Sequence, residues 1–159
     1  MRTLYLMRHG IAEERSPAVD DGARVLTIEG RERTLQCARG LLALGVTPEK
    51  IGHSPLVRAA QTAQIVHEIL GGALFVHEEL AAAPTEELLL GLDGARVMLI
   101  GHEPWLGMLA SLALTSSSVE GGLYPFKKGG VMHLEGPGDP GSYQLLGFYP
   151  PRALRRLRP

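Results

Sequence analysis

The stretch Met1-Arg-Thr-Leu-Tyr-Leu-Met-Arg-His-Gly10 carries the pattern from which both the fold and a site can be predicted. Thr3 to Met7 is a short apolar run with β-branched and aromatic residues, which is typical of one buried strand. Arg8, His9 and Gly10 follow at once, and ligands of open α/β sheets bind outside the carboxyl ends of strands. Arg presents a planar fork to phosphate oxygens, His can attack phosphorus, and Gly lets the backbone turn sharply against a ligand. Taken alone, however, such a tripeptide is more often a strand that has reached solvent.

The composition is that of an ordinary globular protein. The 159 residues are 45% hydrophobic and 21% charged, which is most simply one domain over residues 1–159 with a substantial core. A formal net charge of −1 gives no general reason to bind nucleic acid or a membrane surface. The single cysteine, Cys37, excludes an internal disulfide and fits a reducing compartment. The apolar N-terminal run is too short for a signal peptide, and no stretch reaches transmembrane length, so we expect a cytoplasmic protein.

Strand patterns and helix patterns alternate along the rest of the chain. We predict strands at Lys50–His53, Leu74–His77 and Ala95–Ile100, the last one central, and a closing antiparallel hairpin of Val131–Glu135 and Tyr143–Phe148. We also predict four helices. Thr27 caps the first helix and Gly45 ends it, and Ser54-Pro55 opens the second helix, which reaches Leu70. The third and fourth helices are predicted at Thr85–Leu92 and Trp105–Leu114. This alternation predicts an α/β fold with a mainly parallel sheet and helices on both faces.

Residues suited to phosphate chemistry follow three of these strands. Arg8 and His9 follow the first strand, Arg58 lies in the first turn of the helix after the second, and His102 follows the strand at Ala95–Ile100. In a parallel sheet all four side chains meet at one edge, where two guanidinium groups can hold a phosphoryl group. One imidazole can then be the nucleophile, and the other can bond to the phosphoryl oxygens.

At this point the sequence resembles a known family. The resemblance to the histidine phosphatase superfamily, and to its SixA-type branch of small phosphohistidine phosphatases, covers nearly the whole chain in order. It rests on Leu4-Tyr-Leu-Met-Arg-His-Gly10, Arg24-Val-Leu-Thr-Ile-Glu-Gly30, Ser54-Pro-Leu-Val-Arg-Ala-Ala-Gln-Thr62, Gly101-His-Glu-Pro-Trp-Leu106 and Lys128-Gly-Gly-Val131. The combination is far more specific than any one of these pieces.

The resemblance implies a three-layer α/β/α sandwich of the phosphoglycerate mutase-like type and a covalent mechanism. His9 would attack the phosphoryl group, and water would then release inorganic phosphate. Arg8, Gly10, Arg58 and His102 would form the phosphate pocket, without a metal ion or an organic cofactor. The implied substrate is a phosphohistidine-bearing signalling protein.

The general acid is not determined by the sequence. Glu103, beside His102, and Glu79 or Glu78, after the third strand, are candidates, and each is also compatible with a solvated loop carboxylate. Imidazole leaves more easily than an alkoxide, so a phosphohistidine substrate reduces the need for an acid. The Asn that often follows the Arg-His-Gly signature in the superfamily is missing, and so is every other Asn, so some contact must be made differently.

Other functions remain open. Within the superfamily, the protein could be a phosphomonoesterase for a small metabolite or a mutase, although no long insertion is present to cover a small substrate. A non-catalytic phosphate-binding module is a second alternative, and a metal hydrolase using His9, His102 and Glu103 is a third. Lys127 and Lys128 fit either a rim that attracts an anionic substrate or a solvated pair. We interpret the arginines of the C-terminal tail as solvated rather than as an anion site.

Overall fold

The computed structural model describes residues 1–159. Its strands are β1 (Arg2–Arg8), β2 (Lys50–His53), β3 (Ala73–Val76), β4 (Arg96–Gly101), β5 (Val131–Gly136) and β6 (Gln144–Tyr149). Its α-helices are α1 (Ile28–Ala43), α2 (Val57–Leu70), α3 (Glu86–Leu90), α4 (Trp105–Thr115) and α5 (Pro151–Leu154). Short 3₁₀ turns lie at Asp21–Ala23, Glu78–Ala81 and Gly121–Leu123. No helix combines the length and the apolar composition that crossing a bilayer requires.

The strands form one sheet in the order β3-β2-β4-β1-β5-β6. The first four strands of that order are parallel to one another, whereas β5 runs antiparallel to β1 and β6 antiparallel to β5. The prediction of a mainly parallel sheet closed by an antiparallel hairpin is therefore confirmed. Because β1 and β4 are central and covered on both sides, they are the apolar runs that the sequence showed most clearly.

Alternate residues of β1 pack into two separate cores. Leu4 and Leu6 face a core that contains residues of α3 and α4, and Tyr5 and Met7 face a second core built with α1, α2 and α5. This division follows from the two-residue period of a strand, which sends successive side chains to opposite faces of the sheet. The predicted three-layer α/β/α architecture is confirmed.

Two predicted helix starts can be compared with the structure. Thr27 caps α1, and its Oγ1 accepts the Gly30 N–H at 2.9 Å, as predicted. The second helix begins two residues later than predicted, because Ser54 Oγ accepts the Leu56 N–H at 3.1 Å and shapes a turn before α2. Ser54 is thereby left beside the edge of the sheet and is not the helix cap.

The carboxyl ends of three parallel neighbours meet at one edge of the sheet. Arg8 is opposite Gly101 in the β1–β4 pair, and His53 is opposite Ile100 in the β2–β4 pair. The turn before β5 reaches the same edge, since that strand runs the other way. There the Arg8 N–H donates to Gly130 O at 3.1 Å, and the Gly129 N–H donates to Arg8 O at 3.0 Å.

Candidate active site

The two predicted catalytic histidines lie side by side. The ring centroids of His9 and His102 are 5.0 Å apart, and the planes are inclined by 49°. Only 6% of His9 and 4% of His102 is exposed. The register of β1 and β4 explains this proximity, because each histidine directly follows one member of the opposed pair Arg8 and Gly101.

The hydrogen bond of His9 fixes its tautomer. Its Nδ1 lies 2.7 Å from Gly10 O, and a carbonyl oxygen can only accept, so the proton is on Nδ1. The neutral ring therefore carries its free lone pair on Nε2. Burial above all, and then His102, Arg58 and Arg8, lower the pKa of His9 to about 3, although the bond to Gly10 O acts in the opposite direction. The His9 ring is thus neutral at pH 7, with the lone pair that a nucleophile would need on Nε2.

His102 is oriented by a serine that sequence analysis placed in a different role. Its Nε2 lies 2.7 Å from Ser54 Oγ, while its Nδ1 is buried without a hydrogen-bond partner. When the Ser54 hydroxyl donates to Nε2, the proton of the neutral ring is on Nδ1 and can be donated to a ligand. Burial, followed by Arg58, lowers the pKa of His102 to about 4, so this ring is also neutral at pH 7.

Arg58 is held from the loop that follows β1. The guanidinium is buried, its Nη1 donates to Asp21 O at 2.9 Å, and its Nη2 lies 3.4 Å from Asp21 Oδ2. The half-exposed Asp21 carboxylate also pairs with Arg24 at 2.9 Å and with Arg15 at 3.4 Å. Sequence analysis missed Asp21, because nothing in the polar loop distinguishes it from its neighbour Asp20.

Arg8 is held by a second network, which includes one candidate acid. Its Nη1 donates to Phe126 O at 2.8 Å, and the Phe126 N–H donates to Glu103 Oε2 at 3.3 Å. The other oxygen of Glu103 accepts the Gly107 N–H at 2.8 Å. Both oxygens of Glu103 therefore bind backbone donors and steady the segment that holds Arg8.

The other candidate acids lie on the short 3₁₀ turn after β3. Glu78 and Glu79 are exposed on the 3₁₀ turn at Glu78–Ala81. Glu79 lines a small cavity together with His102 and Trp105. Of the carboxylates predicted from the sequence, Glu79 is the one that lies by His102 with no protein hydrogen bond to its side chain.

Thr62 connects the two halves of the site. Its Oγ1 accepts the Gly10 N–H at 3.0 Å and donates to Arg58 O at 2.7 Å. The Gly10 N–H is thus already bonded, and a Cβ on Gly10 would lie 2.4 Å from Thr34 Oγ1. Glycine is required here by close packing against α1. Thr62 ends the stretch Ser54–Thr62, which carries the family resemblance, but the resemblance implies no role for it.

Unpartnered polar atoms are concentrated at this site. Five buried side-chain polar atoms have no hydrogen-bond partner, and three of them are Arg8 Nε, Arg58 Nε and His102 Nδ1. Leaving a buried donor unpaired costs about 1–3 kcal/mol, so native proteins seldom tolerate several in one place. All three belong to residues that the sequence predicts for the phosphate pocket. No group of three or more His, Cys, Asp and Glu side chains is placed to hold a metal ion.

Comparison with known proteins gives a consistent family and fold. The family model of the histidine phosphatase superfamily (branch 1) matches residues 4–84. An uncharacterized protein of Picosynechococcus sp. is 39% identical over 112 residues, which cover 65% of this chain and 68% of that protein.

Solved structures share the fold over nearly the whole chain. The protein histidine phosphatase SixA complexed with tungstate is 24% identical, with a TM-score of 0.79 and coverage of 96% of this chain and 99% of that one. Phosphoserine phosphatase from Entamoeba histolytica, in complex with 3-phosphoglyceric acid, is 16% identical, with a TM-score of 0.68 and coverage of 97% and 100%.

Proposed function

This chain belongs to the histidine phosphatase superfamily (branch 1) and is a phosphatase of that superfamily, and we propose that it hydrolyses phosphohistidine through a covalent intermediate on His9. One observation carries the proposal. The buried His9, neutral and with Nε2 unprotonated, lies beside three buried donors that lack partners, on Arg8, Arg58 and His102. This arrangement supplies a nucleophile and a binding site for the oxygens of the group that it attacks.

The first step forms one bond and breaks one. The Nε2 lone pair of His9 attacks phosphorus, and the bond from phosphorus to the leaving nitrogen breaks, with its electron pair going to that nitrogen. The His9 ring gains positive charge in this step, and the bond from its Nδ1–H to Gly10 O stabilises that charge. Arg8 and Arg58 stabilise the oxygens of the transferring group.

The second step returns the enzyme to its starting state. Water attacks the phosphoryl group on His9, the bond from phosphorus to Nε2 breaks, and inorganic phosphate leaves. His102, with Nδ1–H directed to a phosphoryl oxygen, binds the same group in both steps. Neither step needs a metal ion or an organic cofactor.

The substrate class that we propose is a phosphohistidine on a protein, as in SixA-type phosphatases. The carboxylates support this choice: Glu103 is bound by backbone donors and Glu79 is exposed, and neither is a buried acid fixed over a leaving group. A nitrogen leaving group needs less protonation than an alkoxide. The likeness in fold to a phosphoserine phosphatase makes a phosphomonoesterase the competing function, with Glu79 as its acid.

The decisive experiment is to trap the enzyme intermediate. We expect a phosphohistidine peptide to give a phosphoenzyme that is labile to acid and stable to base, with the phosphoryl group on His9, and a phosphoserine peptide to give far less. His9→Ala should give none. His67→Ala is the matched control, because His67 Nδ1 makes the same kind of bond, to Gly72 O at 2.7 Å, away from the site.

The outcomes separate the alternatives. Equal turnover of the two peptides would favour the phosphomonoesterase. A His9→Ala protein that keeps substantial turnover would contradict the covalent mechanism. A folded wild-type protein that binds phosphate and turns over neither peptide would be a phosphate-binding module.

A further inference from the structure

A second cationic region lies at the same edge of the sheet as the candidate active site. It is an open cavity of about 420 Å³ between α1, the turn at residues 127–130 and the C-terminal helix α5. Its lining includes the cationic residues Arg33, Lys127, Lys128 and Arg155, together with Arg8, whose guanidinium bonds to Phe126 O. No Asp or Glu lines it, although the whole chain has a net charge of −1.

The cavity is a built feature of the fold, because its walls are tied together. The turn at residues 127–130 closes with the Gly130 N–H donating to Lys127 O at 2.7 Å, and its glycines bond to the backbone of Arg8. Gly129 has a φ of +86°, which favours glycine, and a Cβ there would lie 3.4 Å from Cys37 Sγ. Cys37 Sγ in turn lies 3.8 Å from Pro151 O, at the start of α5.

The charge in this cavity is largely uncompensated. Arg33 pairs with Glu29 at 2.7 Å, but Lys127, Lys128 and Arg155 make no ion pair. Arg155 and the buried Cys37 line the cavity together, and burial raises the pKa of the Cys37 thiol to about 11, so the sulfur carries no negative charge at pH 7 to offset these cations. The tail arginines, which we interpret as solvated, differ in position: Arg152 is exposed outside the cavity, whereas Arg155 is half-buried and lines it. Clustered cations in a concave site raise the local concentration of anions.

We propose that this cavity is a second anion-binding site, which takes a carboxylate or phosphate group carried by the same substrate whose phosphoryl group reaches His9. The inference rests on the proposed function and adds a determinant of specificity to it. The backbone of Arg8 joins the two regions, since its N–H and C=O bond to the cavity turn and its neighbour His9 lies in the active site. A substrate that carries a second oxyanion near its phosphohistidine can therefore bind to both regions.

The test compares substrates with and without a second anion. A phosphohistidine peptide with two Glu residues, the same peptide with Gln in their place, and phosphoimidazole would be assayed with wild type and with a Lys127→Ala/Lys128→Ala variant. For the Glu peptide we expect KM to rise about tenfold in the variant, which corresponds to about 1.4 kcal/mol, with kcat unchanged. KM for phosphoimidazole should stay the same. Arg152→Ala/Arg156→Ala removes two exposed cations outside the cavity and should change neither substrate.

A binding measurement separates this proposal from the proposed function. Tripolyphosphate binding to His9→Ala protein, followed by calorimetry, should weaken about tenfold on addition of Lys127→Ala/Lys128→Ala, and it requires no turnover. Equal KM of the wild-type protein for the Glu and Gln peptides would overturn the proposal. If tripolyphosphate nevertheless bound at the two lysines, the cavity would bind a free anion and not a group of the substrate. An equal rise of KM for every substrate would also overturn it. Normal binding without turnover of any phosphohistidine substrate would instead count against the proposed function.

Discussion

Two cationic regions of this molecule share one edge of the sheet and are constructed in opposite ways. In the candidate active site, Arg58 and His102 are at most 5% exposed, and each is oriented by a hydrogen bond to Asp21 or Ser54. In the cavity beside it, Lys127 and Lys128 are exposed on a turn. Hydrogen bonds hold the backbone of this turn but not the two lysine side chains. A reaction requires groups held in one geometry, whereas recognition of varied anions needs charge near the right place.

Of the changes predicted here, replacement of the buried Arg58 should lower activity the most. Arg58→Ala removes two donors and a charge from a buried site, so we expect kcat/KM for a phosphohistidine peptide to fall by about 10²–10³. Arg58→Lys should recover only part of that loss, because an ammonium group cannot reproduce the planar fork. Arg39→Ala, at an exposed position of α1, is the control. If Arg58→Lys had wild-type activity, the buried site would require only a positive charge at this position, as we propose for the cavity.

The next prediction concerns the hydrogen bonds that join the halves of the active site. Thr62→Val keeps the shape but leaves the buried Gly10 N–H without its acceptor, so we expect a loss of about 1–3 kcal/mol in the free energy of unfolding. Arg58 and His9 would also lose their common link, so kcat should fall about tenfold with little change in KM.

Thr34→Val provides a matched control for that prediction. Thr34 is equally buried, lies on the cavity side, and its Oγ1 has no partner to lose. Its replacement should leave both kcat and the free energy of unfolding close to wild type. Equal effects of the two substitutions would mean that Thr62 contributes by packing, and not by its hydrogen bonds.

The sequence predicted the parts of the site that depend on strand ends. Arg8, His9 and His102 each lie at or just after the end of a central apolar strand. Parallel pairing of neighbouring strands brings such ends together regardless of the conformation of the loops. The proximity of His9 and His102 therefore followed from the order of the elements.

The parts that sequence analysis missed depend on packing between distant segments. Asp21 reaches Arg58 only because a polar loop folds back over α2, and Arg155 reaches the cavity only because α5 packs against α1. Neither contact has a periodicity or a local motif. Glu103 shows the same limit, because its place beside His102 in the chain suggested an acid, whereas its carboxylate binds the backbone of Gly107 and Phe126.

The smallest predicted effect is on stability at mildly acidic pH, and it again separates the two regions. Folding lowers the pKa of His9 to about 3, whereas an unfolded histidine titrates near 6.5. Below pH 6.5 the unfolded chain binds a proton that the folded chain does not, so the free energy of unfolding falls as the pH falls toward 3. For one such histidine, the loss between pH 6.5 and pH 5.5 is about 1 kcal/mol. Urea unfolding at those two pH values should show a smaller loss in His9→Gln than in wild type, and an unchanged loss in Lys127→Ala/Lys128→Ala, which keeps both buried histidines. Equal losses in wild type and His9→Gln would show that His9 can be protonated in the folded protein, and a neutral, pre-formed nucleophile would then no longer distinguish the active site from the cavity beside it.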